Sequence, residues 1–146
     1  MRSPLELQRS VLEILDIRAN PLYTKDCAEE SYNIKVATEV SKKPDSYDYR
    51  IKLGVRMSPP KDTICRFQRI EVEIIGYFNM PQDSDPNFVY QLVPLNCLAI
   101  LYGIARGVVA QSTGLTRNGA FMLPAYNFVE HINKKHKSNA PHKQQN

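Results

Sequence analysis

At 146 residues, with 42% hydrophobic and 23% charged side chains, the chain suits one domain that buries about two thirds of its unfolded surface, so folding requires no metal or disulfide. Its three cysteines, Cys27, Cys65 and Cys97, are odd in number and far apart, which excludes a disulfide framework and a paired zinc motif. The formal net charge of +4 comes from the end of the chain: residues 1–132 hold 15 basic and 15 acidic side chains, and residues 133–146 add four lysines and no acid. A neutral body of this kind offers no single-sign stripe for phosphates.

The opening MRSPLELQRS contains no apolar run of the signal-peptide type, so a cytoplasmic protein with reduced thiols is expected. Residues 11–17 are ambiguous, since Leu12 and Ile14 fit a strand while Leu5, Leu12 and Leu15 nearly fit a helix; they are read as a strand. Residues 32–40 alternate cleanly, with Tyr32, Ile34, Val36, Thr38 and Val40 opposed to Asn33, Lys35, Ala37 and Glu39. Residues 47–58 repeat the pattern, with Tyr47, Tyr49, Ile51, Leu53, Val55 and Met57 on one face. The turn residues Lys42, Lys43, Pro44, Asp45 and Ser46 between the two runs predict an antiparallel hairpin. A further strand runs through residues 64–78, and residues 80–86 read as a polar loop.

After Pro94 the period becomes helical, with Leu95, Leu98, Leu101, Tyr102, Ala105, Val108 and Val109 on adjoining stripes and Asn96 as the expected cap. Apolar residues nearly circle this helix, which therefore needs cover on two sides. Arg106 and the short apolar length argue against a bilayer span, and Arg106 is expected to meet a carboxylate or a backbone carbonyl. Gly103 and Gly107 share a face on which a second helix could come close, and a subunit interface through Leu98, Leu101, Tyr102, Gly103, Gly107 and Val108 is expected. A turn-rich link over residues 114–119 leads to Pro124 and a short second helix from Phe128 to Ile132. The domain is expected to span residues 1–133, and the polar, lysine-rich residues 134–146 to be a disordered tail. The fold class expected is α+β: a four-stranded antiparallel sheet, a long apolar helix and a short C-terminal helix.

Nothing in the chain assembles catalytic chemistry, so no enzyme activity, metal or cofactor is expected. His131, His136 and His142 lack the i, i+4 spacing of a helical zinc pair. Glu71 and Glu73 share a strand face, without a histidine nearby to tune them, and are read as partners in cross-strand salt bridges. Ser112, Thr113, Gly114 and Gly119 are wrongly spaced for a phosphate loop.

The order of Glu71-Val72, Gly76-Tyr77-Phe78, Ile100-Leu101-Tyr102-Gly103-Ile104-Ala105-Arg106 and Pro124-Ala125-Tyr126-Asn127-Phe128 behind an antiparallel sheet resembles the protein-export chaperone SecB and its SecB-like relatives. The resemblance covers residues 64–132 by motif and residues 9–57 by strand order. It implies an ATP-independent holdase for unfolded polypeptides in protein export, built as a homotetramer, a dimer of dimers whose long helices lie between two eight-stranded sheets. For such a holdase a client groove is expected between sheet and second helix, walled by Tyr32, Ile34, Val36, Ile51, Leu53, Tyr126, Phe128 and Ile132, although alternating Tyr, Ile and Val also suit an ordinary core. The resemblance further implies contact with the motor ATPase SecA through acidic residues, which Glu71 and Asp26 match. The chain departs from the export pattern in its neutral body and in Gly103, where the family usually carries proline. A branch of SecB-like proteins serves as dedicated chaperones of antitoxins in toxin-antitoxin systems, and the divergent N-terminal half suits that branch equally. Two readings of other classes stay open: a domain enclosing a small hydrophobic ligand, and a nucleic-acid accessory acting through the basic tail.

Overall fold

Residues 48–58 show why a sheet forms. Tyr49, Ile51, Leu53, Val55 and Met57 are buried while Arg50, Lys52, Gly54 and Arg56 take the other face, the division that one covered side imposes on a pleated chain. In the computed structural model, which describes residues 4–27 and 31–139 and side chains as far as residue 134, this strand is β3 (Asp48–Ser58). It pairs on one side with β2 (Asn33–Lys42), in unbroken register from Asn33↔Ser58 to Lys42↔Tyr49, and on the other with β4 (Phe67–Asn79). β1 (Glu6–Ala19) joins the far side of β4, giving an antiparallel sheet in the order β1-β4-β3-β2. The β2–β3 turn closes through Lys43 N donating to Asp48 O at 3.0 Å, with Asp45 at a φ of 57°; aspartate tolerates that left-handed conformation better than most residues.

The ambiguous first segment is thus a strand, longer than residues 11–17. Its register against β4 shifts between Leu7 and Arg9, between Leu12 and Ile14, and between Arg18 and Ala19. Residues opposite one another share a face, so Leu7, Ser10, Leu12, Leu15 and Ile17, paired with Phe78, Gly76, Ile74, Val72 and Ile70, lie on the helix side of the sheet. Bulges insert extra residues and turn a period of two into steps of three and two, which mimic a helix in sequence.

The long helix, α1 (Pro86–Thr113), begins eight residues before Pro94, and not after it as expected. Asp85 is the cap: its Oδ1 accepts from Asn87 N at 3.0 Å, and Pro86 occupies the first turn, where a missing N–H costs nothing. Pro94 lies inside the helix and cannot donate to the carbonyl four residues earlier, an interior break that local propensity reads as a boundary. With 28 residues α1 is long and apolar enough to cross a bilayer, which removes the short-length reason for rejecting a span. Here its Val89, Val93, Cys97, Leu98, Leu101, Ala105 and Val109 are buried and form the core with β3 and β4. The approach is closest at Gly76 on β4, where a Cβ would lie 2.5 Å from the Phe78 ring and 2.7 Å from a Leu101 methyl.

Thr113 ends the helix as a buried knot, donating to Val109 O at 2.6 Å and accepting from Phe121 N at 2.8 Å. Arg66 donates to Ala120 O at 3.1 Å and packs 5.5 Å from the Phe121 ring centre, and Asn118 Nδ2 donates to Asn20 O and Arg66 O, so the link after α1 is tied to the sheet. Arg106 Nε donates to Leu123 O at 3.0 Å, one of the two partners expected for it. The chain then enters α2 (Phe128–Asn139), whose first turn is capped by Asn127 Oδ1 accepting from Glu130 N at 3.2 Å. The helix runs past residue 134, and the part of the expected tail beyond Asn139 lies outside the described residues.

Candidate functional site

A recess of about 700 Å³ opens between β2, the first half of α1 and the middle of α2. Its walls are Thr38 and Val40 from β2, Tyr49 from β3, Tyr90, Pro94 and Leu98 from α1, and Ile132 from α2, with Lys42, Gln91 and Asn133 at the rim. Val40 is 41% exposed and Tyr90 71% exposed, so the recess is an open groove along the edge of the sheet. Lys42 Nζ is turned to the hairpin, donating to Ser46 O at 2.9 Å, which leaves an apolar floor beneath a polar rim. Such a surface binds by excluding water from apolar side chains, with few directional bonds.

Aromatic rings pack together where α2 begins. Tyr126 and Phe128 meet with ring centres 4.9 Å apart, Tyr102 and Phe128 at 5.4 Å, and the Tyr102 hydroxyl donates to Pro124 O. Burial raises the hydroxyl pKa of Tyr49, Tyr102 and Tyr126 and pushes the Cys97 thiol up to about 12, so these groups stay neutral. Among the described residues no three His, Cys, Asp or Glu side chains gather to hold a metal.

The eight groove residues named from sequence are dispersed. Ile132 lines the recess, and Tyr126 and Phe128 form the aromatic cluster beside it. Ile34 and Val36 lie on the same face of β2 as Thr38 and Val40. Ile51 and Leu53 are fully buried beneath α1, within the core. Tyr32 sits at the far end, edge-on to Phe121 at 5.3 Å, its hydroxyl accepting from Phe67 N. Sequence reasoning missed Tyr90, Gln91 and Pro94 because it began the helix too late. Thr38 and Val40 were legible, on the apolar face of the alternating strand.

The helix positions named as an interface also divide. Leu98, Leu101 and Tyr102 are buried in the chain's own core, Val108 is half-buried, and Gly103 and Gly107 are exposed with open space where a Cβ would stand. The exposed face of α1 runs through Phe88, Leu92, Ala99, Ile100, Gly103 and Gly107, a stripe repeating every three to four residues. Beside it on the sheet, Leu7, Leu12 and Leu15 of β1 are exposed too.

The opposite sheet face is a lattice of ion pairs. Lys52 meets Glu73 at 2.6 Å, Arg56 meets Glu71 at 3.1 Å, and Arg69 bridges Glu71 and Asp16. Hydrogen bonds from Arg69 and then Arg56 hold the Glu71 carboxyl below the usual carboxylate range. Asp26 is exposed in the β1–β2 connection, and no ion pair joins it to Glu71 among the described residues.

No family model and no curated protein matches the chain. Among solved structures the fold is similar to the Mycobacterium tuberculosis SecB-like chaperone Rv1957, in complex with a ChAD peptide from the HigA1 antitoxin, with a TM-score of 0.61 at 10% identity over 84% of this chain and 90% of that one. It is also similar to a protein of unknown function from Streptococcus agalactiae, with a TM-score of 0.51 at 12% identity over 83% of this chain and 97% of that one. Identity this low speaks for architecture alone: the chain has a SecB-like fold, a four-stranded antiparallel sheet followed by a long helix and a short one.

Proposed function

We propose that this protein is an ATP-independent chaperone that holds unfolded polypeptide segments in the groove along β2. The observation that supports this most is the groove itself: about 700 Å³, apolar-floored and open at a sheet edge, in a fold shared with a chaperone that binds a peptide. Each client side chain buried there contributes about 1.5–3 kcal/mol, so several weak contacts give affinity without a strict sequence requirement. An open trough suits a chain better than a small molecule, which an enclosed pocket with a polar end would favour.

Two copies or more are expected to associate through the exposed face of α1, in a cytoplasmic homotetramer of the SecB kind. Within the chaperone reading the antitoxin branch is favoured over export. The similar Mycobacterium tuberculosis chaperone is bound to an antitoxin peptide, and here Glu71, a residue proposed for the export motor SecA, is held between Arg56 and Arg69.

The test is suppression of aggregation of a denatured model protein without ATP, comparing wild type with the double variant Val40→Ser, Ile132→Ser. Both residues line the groove. The variant should lose about tenfold or more in client affinity and keep its solution mass; equal protection by both proteins rejects the groove.

A further inference from the structure

His131 joins α2 to the sheet across 93 residues of sequence. Its Nε2 lies 3.1 Å from Thr38 Oγ1 on β2, and its Nδ1 lies 2.9 Å from the Tyr126 hydroxyl. A neutral imidazole donates at one nitrogen and accepts at the other, and each hydroxyl can take either part, so both bonds form in either tautomer. The ring is steadied by edge-on contacts with Tyr126 at 5.8 Å and Phe128 at 6.4 Å between centres. Phe128, buried between Tyr102 and Tyr126, anchors the start of the helix. The residues just after the histidine, Ile132 and Asn133, stand over the groove.

The strand at the other end gives the bond its consequence. The helix-side row of β2 is Ile34, Val36, Thr38 and Val40, opposite Met57, Val55, Leu53 and Ile51 of β3. Ile34 and Val40 are exposed at its two ends, whereas Val36 and Thr38 between them are partly covered. At about 3.3 Å per residue the row is a strip of roughly 20 Å, and α2 fastens on its middle.

We propose that His131 is a latch: its bond to Thr38 clasps α2 across the β2 row, and release lets the helix swing about the Phe128 aromatic cluster and uncover the strip from Ile34 to Val40. The occupant of that strip, an extended apolar polypeptide segment, rests on the holding function proposed above; the latch itself does not. A clasp that is closed most of the time lowers apparent affinity in proportion to the open fraction, so loosening it should tighten binding.

Hydrogen exchange on the full chain, without client, tests the latch. Thr38→Val keeps shape and strand preference and removes the hydroxyl, while Thr38→Ser keeps the hydroxyl. Thr38→Val should speed exchange of α2 amides by about threefold or more, the size expected for one lost hydrogen bond, with β3 and β4 unchanged and Thr38→Ser restoring the wild-type rate. Wild-type exchange in the Thr38→Val helix, or acceleration spread equally through β3 and β4, overturns the latch. A fluorescent peptide of alternating valine and serine should then bind Thr38→Val about three- to tenfold more tightly than wild type. Faster exchange with unchanged affinity overturns the gating role. Failure of every form to bind any peptide counts against the holding function, and exchange alone still decides the latch.

Discussion

The two edges of the sheet are built differently. β2 runs ten residues in perfect register with β3 and leaves its outer edge straight. β1 runs fourteen residues against β4 with three register shifts. A straight edge is a template for another extended chain, whereas bulges twist the backbone and make strand addition unfavourable. Their helix-side rows differ as well: that of β2 is joined to α2 through the bond between Thr38 and His131, while in β1 Leu12 is 47% exposed. One chain therefore combines an unbulged edge with, on the other side and along the outward stripe of α1, a broader exposed apolar surface.

The severest way to break this contrast is to lift α1 from the sheet that both edges share. Gly76 pairs with Ser10 of β1 and Ile51 of β3, and a side chain there meets Phe78 and Leu101. Gly76→Val should destabilise the fold by about 1–3 kcal/mol, read as a lower thermal midpoint, and hydrogen exchange should release β1 before β2 and β3. An unchanged midpoint would mean that helix and sheet are not in close contact at that residue.

A milder substitution separates the two surfaces. Ile100, exposed on the outward face of α1, touches the proposed contact between copies and not the groove. Ile100→Asp should leave the stability of the folded subunit within about 0.5 kcal/mol while lowering the mass seen by light scattering. A wild type that is already a single subunit at micromolar concentration, or a variant of unchanged mass, removes the assembly role from α1.

Legibility in the sequence follows the same division. β2 and β3 were plain because neither is bulged, so their periods of two survive intact. β1 was obscure because its inward residues, Leu7, Leu12, Leu15 and Ile17, are displaced by extra residues that only pairing with β4 accommodates. The start of α1 was hidden by Pro94, which local preference treats as a boundary and which tertiary packing of Val89 and Val93 overrides. The groove inherited both effects: Thr38, Val40 and Ile132 lie on elements that could be read, while Tyr90 and Pro94 lie on helical turns ahead of the point where the sequence pattern turns helical. The bond between Thr38 and His131 joins residues too distant in sequence for any local pattern to pair them.

The smallest expected effect lies on the charged face that joins the edges. Glu71 is held below its ordinary pKa by hydrogen bonds from Arg69 and Arg56, and Arg69 also meets Asp16 of β1, while Arg56 belongs to β3. A carboxylate depressed in the folded state stabilises fully above its unfolded pKa of about 4.3, and the contribution fades as pH falls through the lower folded value. Stability should therefore decline between roughly pH 5 and the folded pKa. Glu71→Gln should flatten that part of the profile while leaving stability near neutral pH only slightly reduced, because exposed pairs of this kind are weak in water and weaker in salt. Thermal melts from pH 3 to 7 at low and high ionic strength measure it. A variant as acid-sensitive as wild type would show that the bridge between the two halves of the sheet is not tied through this carboxylate.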